Sequence, residues 1–128
     1  MRLLALATGM ALIVSTQGFA EDRIERSLKM LAPGERLVQL CDYTVMQRIR
    51  KDAPEFRPDH AVADATQQSV VANNTVIAEG GAFRSQGKWY GITYQCTASP
   101  EDMKVLSFAY RIGAEIPPAK WGDYGLWQ

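Results

Sequence analysis

The sequence holds one histidine and two cysteines, and that scarcity narrows its chemistry. A serine or cysteine nucleophile needs a base within reach, and His60 is the only imidazole available. Cys41, Cys96 and His60 fall short of the four Cys and His ligands of a structural zinc site, and the two cysteines are too far apart for a CxxC redox pair. No GxSxG, HExxH, P-loop or GxGxxG occurs, so covalent hydrolase, zinc and nucleotide chemistry lose their usual sequence support. No catalytic residue, metal or cofactor is therefore assigned. Excess charge of one sign is missing too, since 14 Lys and Arg face 14 Asp and Glu. Without a basic stripe to displace counterions from phosphates, nucleic acid is not an expected partner.

A long hydrophobic run is also absent. The apolar stretch from Leu3 to Val14 is about a dozen residues, where a membrane-spanning helix needs about 20. With Arg2 before it and Gly18-Phe19-Ala20 after it, the stretch reads as a signal peptide over residues 1–20, cut after Ala20. The remainder, 21–128, is the size of a single domain, and no transmembrane segment is expected after cleavage. The implied compartment is the periplasm. Export also changes the reading of Cys41 and Cys96, because an oxidising compartment permits a structural disulfide.

Two helices open the expected domain. Ile24, Leu28 and Leu31 recur at helical spacing up to Ala32-Pro33-Gly34. From Glu35 to about Lys51, Leu37, Val38, Leu40, Cys41, Val45, Met46 and Ile49 form one apolar stripe, with Glu35, Arg36, Gln39, Asp42, Arg48 and Arg50 largely on other faces. Asp52-Ala53-Pro54 stops it.

The period then changes. His60 to Ala65 reads as a short edge strand after an Arg57-Pro58-Asp59 turn, and Gln67 to Asn74 as a polar connection ending in an Asn73-Asn74 turn. Asn73-Asn74-Thr75 also fits a glycosylation sequon, relevant only in a eukaryotic secretory pathway. A strand follows from about Thr75 to Ser85, with Gly80-Gly81 a candidate bulge. Tyr90, Ile92, Tyr94 and Cys96 share one face of Lys88 to Thr97, and Leu106, Phe108, Tyr110 and Ile112 share one face of Lys104 to Gly113. Cys96 thus points where the long helix must dock its stripe, and that stripe holds Cys41, so the two thiols are expected to meet.

Three features are left for function. Arg84, Lys88 and Trp89 cluster at a hairpin tip, where an indole face and cationic donors suit a glycan, a peptide or another envelope protein, but cross-strand pairing with Trp89 on the outer face, covered by Arg84 or by the aromatic tail, is the favoured reading of the same residues. Trp121 and Trp127 lie in a tail that either folds back over a core edge or presents an exposed anchor, and folding back suits so small a domain. His60 beside Asp59, or a pair drawn from Glu79, Glu101, Asp102, Glu115 and Asp123, supplies the only acid–base candidates. All five carboxylates fall at turns or on polar faces, where solvated groups are expected.

Several blocks together resemble one family: Glu35-Arg36-Leu37-Val38-Gln39-Leu40-Cys41-Asp42, Phe56-Arg57-Pro58-Asp59, Gly81 to Tyr90, Ser107 to Gly113 and the Trp121 to Leu126 tail. The chain is similar over nearly its whole exported length to the bacterial family catalogued as domain of unknown function 930. The resemblance implies a small exported or envelope-associated alphaproteobacterial domain, sometimes carried behind a membrane segment and a proline-rich stalk. This chain, with its expected cleavable leader and no such linker, departs from the stalked form. The resemblance transfers no catalytic residue and no ligand.

The expected fold is α+β, with one short and one long helix on a four-stranded, mainly antiparallel sheet, pinned by Cys41–Cys96. The expected function is a periplasmic, non-enzymatic binding or interaction module. The alternatives are a cell-wall or periplasmic-substrate hydrolase and a lysozyme-inhibitor-like protein.

Overall fold

A computed structural model describes residues 17–128. The expected leader's apolar stretch lies outside the described residues. Helix α1 spans Gln17–Lys29 and α2 Pro33–Asp52. Pro33 occupies the first turn of α2 rather than separating the helices, because its fixed φ and missing N–H suit that position. Ala53, held outside the helical region ahead of Pro54, ends α2 as expected, and its N–H is bonded to the carbonyl of Ile49.

Arg36 joins the two helices. Its guanidinium donates to the carbonyls of Leu28 and Leu31 at 2.9 and 3.0 Å and to that of Glu101 at 3.1 Å. The first oxygen belongs to the last turn of α1, where it also accepts the Leu31 N–H, and the second to the turn just beyond it, so Arg36 caps one helix from the next.

Five antiparallel strands follow: β1 Pro58–Val62, β2 Val70–Ala72, β3 Thr75–Ser85, β4 Lys88–Ala98 and β5 Val105–Ile116. They run in the order β1-β3-β4-β5, and β2 pairs with the other end of β3. The fold is α+β with one strand more than expected. β2 is only three residues long, within a stretch whose polar composition predicted a connection. β1 begins earlier and ends earlier than expected, because beyond Val62 the chain turns at Asp64, whose carboxylate accepts the backbone N–H of Ser69.

Both tight hairpins use left-handed residues. Asn73 and Asn74 have φ of 50° and 59°, and Gln86 and Gly87 have φ of 51° and 77°. This is the type I′ geometry that matches strand twist. The inner face of the sheet holds the main core, where Leu37, Leu40, Val45 and Ile49 of α2 meet Val76, Ala78, Phe83, Ile92 and Tyr94. Cys41 and Cys96 are bonded within it, with Cα atoms 6.0 Å apart.

Two irregularities build a second core. β3 and β4 lose register between Ala78 and Gly81, and β4 and β5 lose it between Tyr90 and Ile92, where Gly113 and Ala114 oppose Gly91. Each extra residue reverses the alternation beyond it. Ala82 and Ile116 are thereby turned to the outer face beside Trp89, where Trp121 and Leu126 of the tail cover them. The first bulge needs glycine: a Cβ on Gly80 would lie 2.6 Å from the Gln67 Cβ and the Thr66 hydroxyl.

Candidate binding site

Trp89, a candidate flat face at the hairpin tip, is 0 % exposed, which agrees with its structural reading. Its indole N–H donates to the carbonyl of Trp127 at 2.7 Å, and its ring meets that of Trp127 edge-on at 5.1 Å. The tail therefore consumes the surface that Trp89 would have presented. Trp121 is buried as well, its indole N–H donating to the carbonyl of Ile116 at 2.9 Å. Trp127 remains 44 % exposed.

Arg84 is similarly committed. Its Nε and Nη2 donate to the two carboxylate oxygens of Asp59 at 2.9 and 3.1 Å, in the forked geometry that suits a guanidinium to a carboxylate. This bonding, helped by His60, holds the Asp59 carboxyl below its usual range. The guanidinium also lies about 6 Å from the Trp89 and Trp127 ring centres. His60 contacts Asp59 through Nδ1 at 3.2 Å and Trp127 edge-on at 5.3 Å. Of Arg84, Lys88 and Trp89, Lys88 is the one that is exposed without such ties. Asp59, His60, Arg84 and Trp127 thus form a clasp over the second core.

The acid–base candidates are dispersed by role. Glu79 receives the Gln67 amide at 3.4 Å, and Glu101, Glu115 and Asp123 are exposed. Asp102, expected to be solvated, is 5 % exposed because its carboxylate accepts the Asn74 amide at 2.7 Å. Among the described residues no cluster of three His, Cys, Asp or Glu side chains could hold a metal ion. Nor is any described helix long and apolar enough to cross a membrane.

A different carboxylate has the unusual environment. Asp42, on the flank of α2 nearer β1, is pushed up to about 7, chiefly by burial, against the lowering effect of a hydrogen bond from Tyr94 and with a smaller push from Asp64. The Tyr94 hydroxyl donates to it at 3.5 Å, and burial beside that carboxylate raises Tyr94 strongly. The sequence pattern sets Asp42 off the apolar stripe of α2 and gives no sign of this burial.

A concavity lies on the opposite flank of α2. A groove of about 600 Å³ runs between α1, α2 and the start of β5. Ile24, Leu28, Leu40, Met103, Val105 and Phe108 give it an apolar lining, and Tyr43, Gln47, Arg48 and Lys104 give it polar groups. Arg48 sits 5.8 Å from the ring centre of Phe108 and 6.0 Å from that of Tyr110, whose hydroxyl donates to Asp52 at 2.8 Å. Leu106 was expected on the inner face, but it falls at a register shift against Thr97 and Ala98 and stands 67 % exposed at the groove. The sequence pattern does not single out the groove, although Tyr43, Thr44 and Gln47 continue from Leu40 at helical spacing along one border of the main stripe.

None of the curated proteins matches this chain, and no solved structure matches it. A family model described as Domain of Unknown Function (DUF930) matches residues 28–126, from the first buried leucine of α1 to the last buried leucine of the tail. That match spans the buried residues of both cores and all of the groove's lining except Ile24 and Glu25, and the chain belongs to the DUF930 family.

Proposed function

We propose that the chain is exported to the periplasm and acts there as a non-enzymatic interaction module of the cell envelope, taking an apolar polypeptide segment in the α2–β5 groove. One observation carries this reading: the groove lies directly beside β5, an outer strand of the sheet with a bare edge among the described residues. An extended segment laid along that edge gains backbone hydrogen bonds from β5, while its alternate side chains enter the groove. Arg48 and the half-exposed rings of Phe108 and Tyr110 supply the aromatic and cationic contacts common at such surfaces. The leader read from residues 1–20 supports export, and the disulfide suits an oxidising compartment.

The test places a photocrosslinking amino acid at Gln47, inside the groove, and another at Lys88, at the β3–β4 tip, in the cell that makes the protein. Adducts with an envelope polypeptide from Gln47 and none from Lys88 are expected, along with a mature N-terminus at Glu21. Capture from Lys88 alone would move the site to the clasp, and the absence of adducts from both would overturn the reading.

A further inference from the structure

The two edges of the sheet differ in their protection. On one side β3 is flanked by two short strands: β1, which carries Pro58 and a register shift before His60, and β2, of three residues. Proline, irregularity and shortness all discourage pairing with a foreign strand. On the other side, β5 runs without interruption from Ser107 to Ile112, each residue in register with β4. That run holds no proline, no glycine and no lysine, and its one charged residue is Arg111. An edge of this kind is a template for another strand.

We propose that its occupant is a second copy of the chain, paired β5 to β5, antiparallel and centred on Ala109. This rests on reading the α2–β5 groove as an interaction surface and names what fills it. The register follows from self-complementarity. Opposed residues of an antiparallel pair share a face. Centring on Ala109 sets Phe108 against the partner's Tyr110, and Tyr110 against the partner's Phe108, on the face that α2 flanks. On the outer face Ser107 meets the partner's Arg111, and the two Ala109 residues meet each other at the two-fold axis. No like charges are opposed, whereas a shift of the centre to Arg111 would set two guanidinium groups against each other. Leu106, which projects beyond the regular run, gains the partner's Ile112 as a neighbour. The joined sheet is continuous across the axis, and each copy brings aromatic side chains to the rim of the other's groove.

The protein as it accumulates in an expressing cell, with its disulfide intact, is studied by sedimentation velocity across a range of concentrations. A monomer–dimer equilibrium is expected. Leu106→Glu should weaken it at least about tenfold while leaving the melting temperature unchanged, since that side chain is already 67 % exposed. Under mild oxidation Ala109→Cys should link two copies covalently. Ser107→Cys should not, because the two sulfurs would lie about four residues apart along the strands, roughly 14 Å, well beyond disulfide reach. A monomer at every concentration overturns the proposal, as does a dimer that Leu106→Glu leaves intact or that Ser107→Cys links as readily as Ala109→Cys. A monomeric protein that still crosslinks another polypeptide from Gln47 would overturn self-pairing and leave the interaction reading standing. Failure of both measurements would remove both.

Discussion

The indole of Trp89 donates to the backbone carbonyl of Trp127 across 38 positions of sequence, at 2.7 Å. This bond fastens the tail to the hairpin end of β4 and seals a second apolar core on the outer face of the sheet. Trp89→Ala removes the largest fully buried side chain and leaves Ile116, Trp121 and Leu126 around a void. A loss of about 3–5 kcal/mol is expected in urea unfolding. Trp89→Phe, which keeps most of the packing and deletes the donor, should cost less, with about 1 kcal/mol assigned to the lost hydrogen bond. A Trp89→Ala protein as stable as the wild type would show that the tail is not a structural closure.

Asn74 ties two turns together at one end of the sheet. Its amide donates to the carbonyls of Ser99 and Pro100 and to the Asp102 carboxylate, while its backbone is left-handed at φ 59°. Asn74→Gly would suit the backbone and still lose those contacts, so both Asn74→Gly and Asn74→Ala should destabilise, by about 1–3 kcal/mol, with alanine the worse. Asn73, at φ 50°, has no comparable side-chain network, and Asn73→Gly should lie within about 1 kcal/mol of the wild type. Chemical denaturation of the three variants decides whether the network or the turn conformation dominates.

The legible parts of this fold are those where alternation runs unbroken. Tyr90, Ile92, Tyr94 and Cys96 lie on a strand with no extra residue of its own, so their common face was readable and with it the meeting of Cys41 and Cys96. Ala82 and Ile116 are harder to place: the sequence marks a bulge at Gly80-Gly81, close to the one at Glu79-Gly80, but nothing comparable marks the one at Gly113-Ala114, and each turns the residues beyond it to the opposite face from that which simple counting gives. Trp89 lies on the outer face under the tail and beside Arg84, as its structural reading has it, but which tail residues cover it depends on where the tail returns, a non-local contact that periodicity does not carry. The groove was hidden for a related reason. It exists because α2 lies closer to β1 than to β5, and that offset is a property of packing between elements, not of either element's sequence.

The Cys41–Cys96 bond closes a loop of 55 positions and holds α2 against the inner face. In the chain-entropy account a loop of that length is worth about 4 kcal/mol, a large part of a small domain's stability. The double variant Cys41→Ala, Cys96→Ala should therefore show a strongly lowered melting temperature, and full reduction should lower it comparably. Because both sulfurs are buried, reduction under native conditions should be slow and should accelerate near the unfolding midpoint. Rapid reduction of the folded protein without loss of stability would contradict this account.

Asp42 makes stability depend on pH in a direction opposite to that of an ordinary paired carboxylate. Its pKa in the folded protein is about 7 against an ordinary 3.8, so between those values the folded state holds a proton that the unfolded chain releases. Its contribution is therefore fully present below about pH 4, declines as pH rises toward 7, and is lost above that, where the folded protein must keep a charged carboxylate beside Tyr94 in a poorly solvated site. The slope attributable to this one proton approaches about 1.4 kcal/mol per pH unit at most. Asp42→Asn retains a group able to accept from the Tyr94 hydroxyl and cannot ionise. It should be more stable than the wild type at pH 7 and should lose this part of the pH dependence, the two proteins converging toward pH 4. Urea titrations of both proteins at pH 4, 5.5 and 7 measure the difference. Parallel stability curves with no convergence would mean that Asp42 is ionised and well solvated in the folded protein throughout.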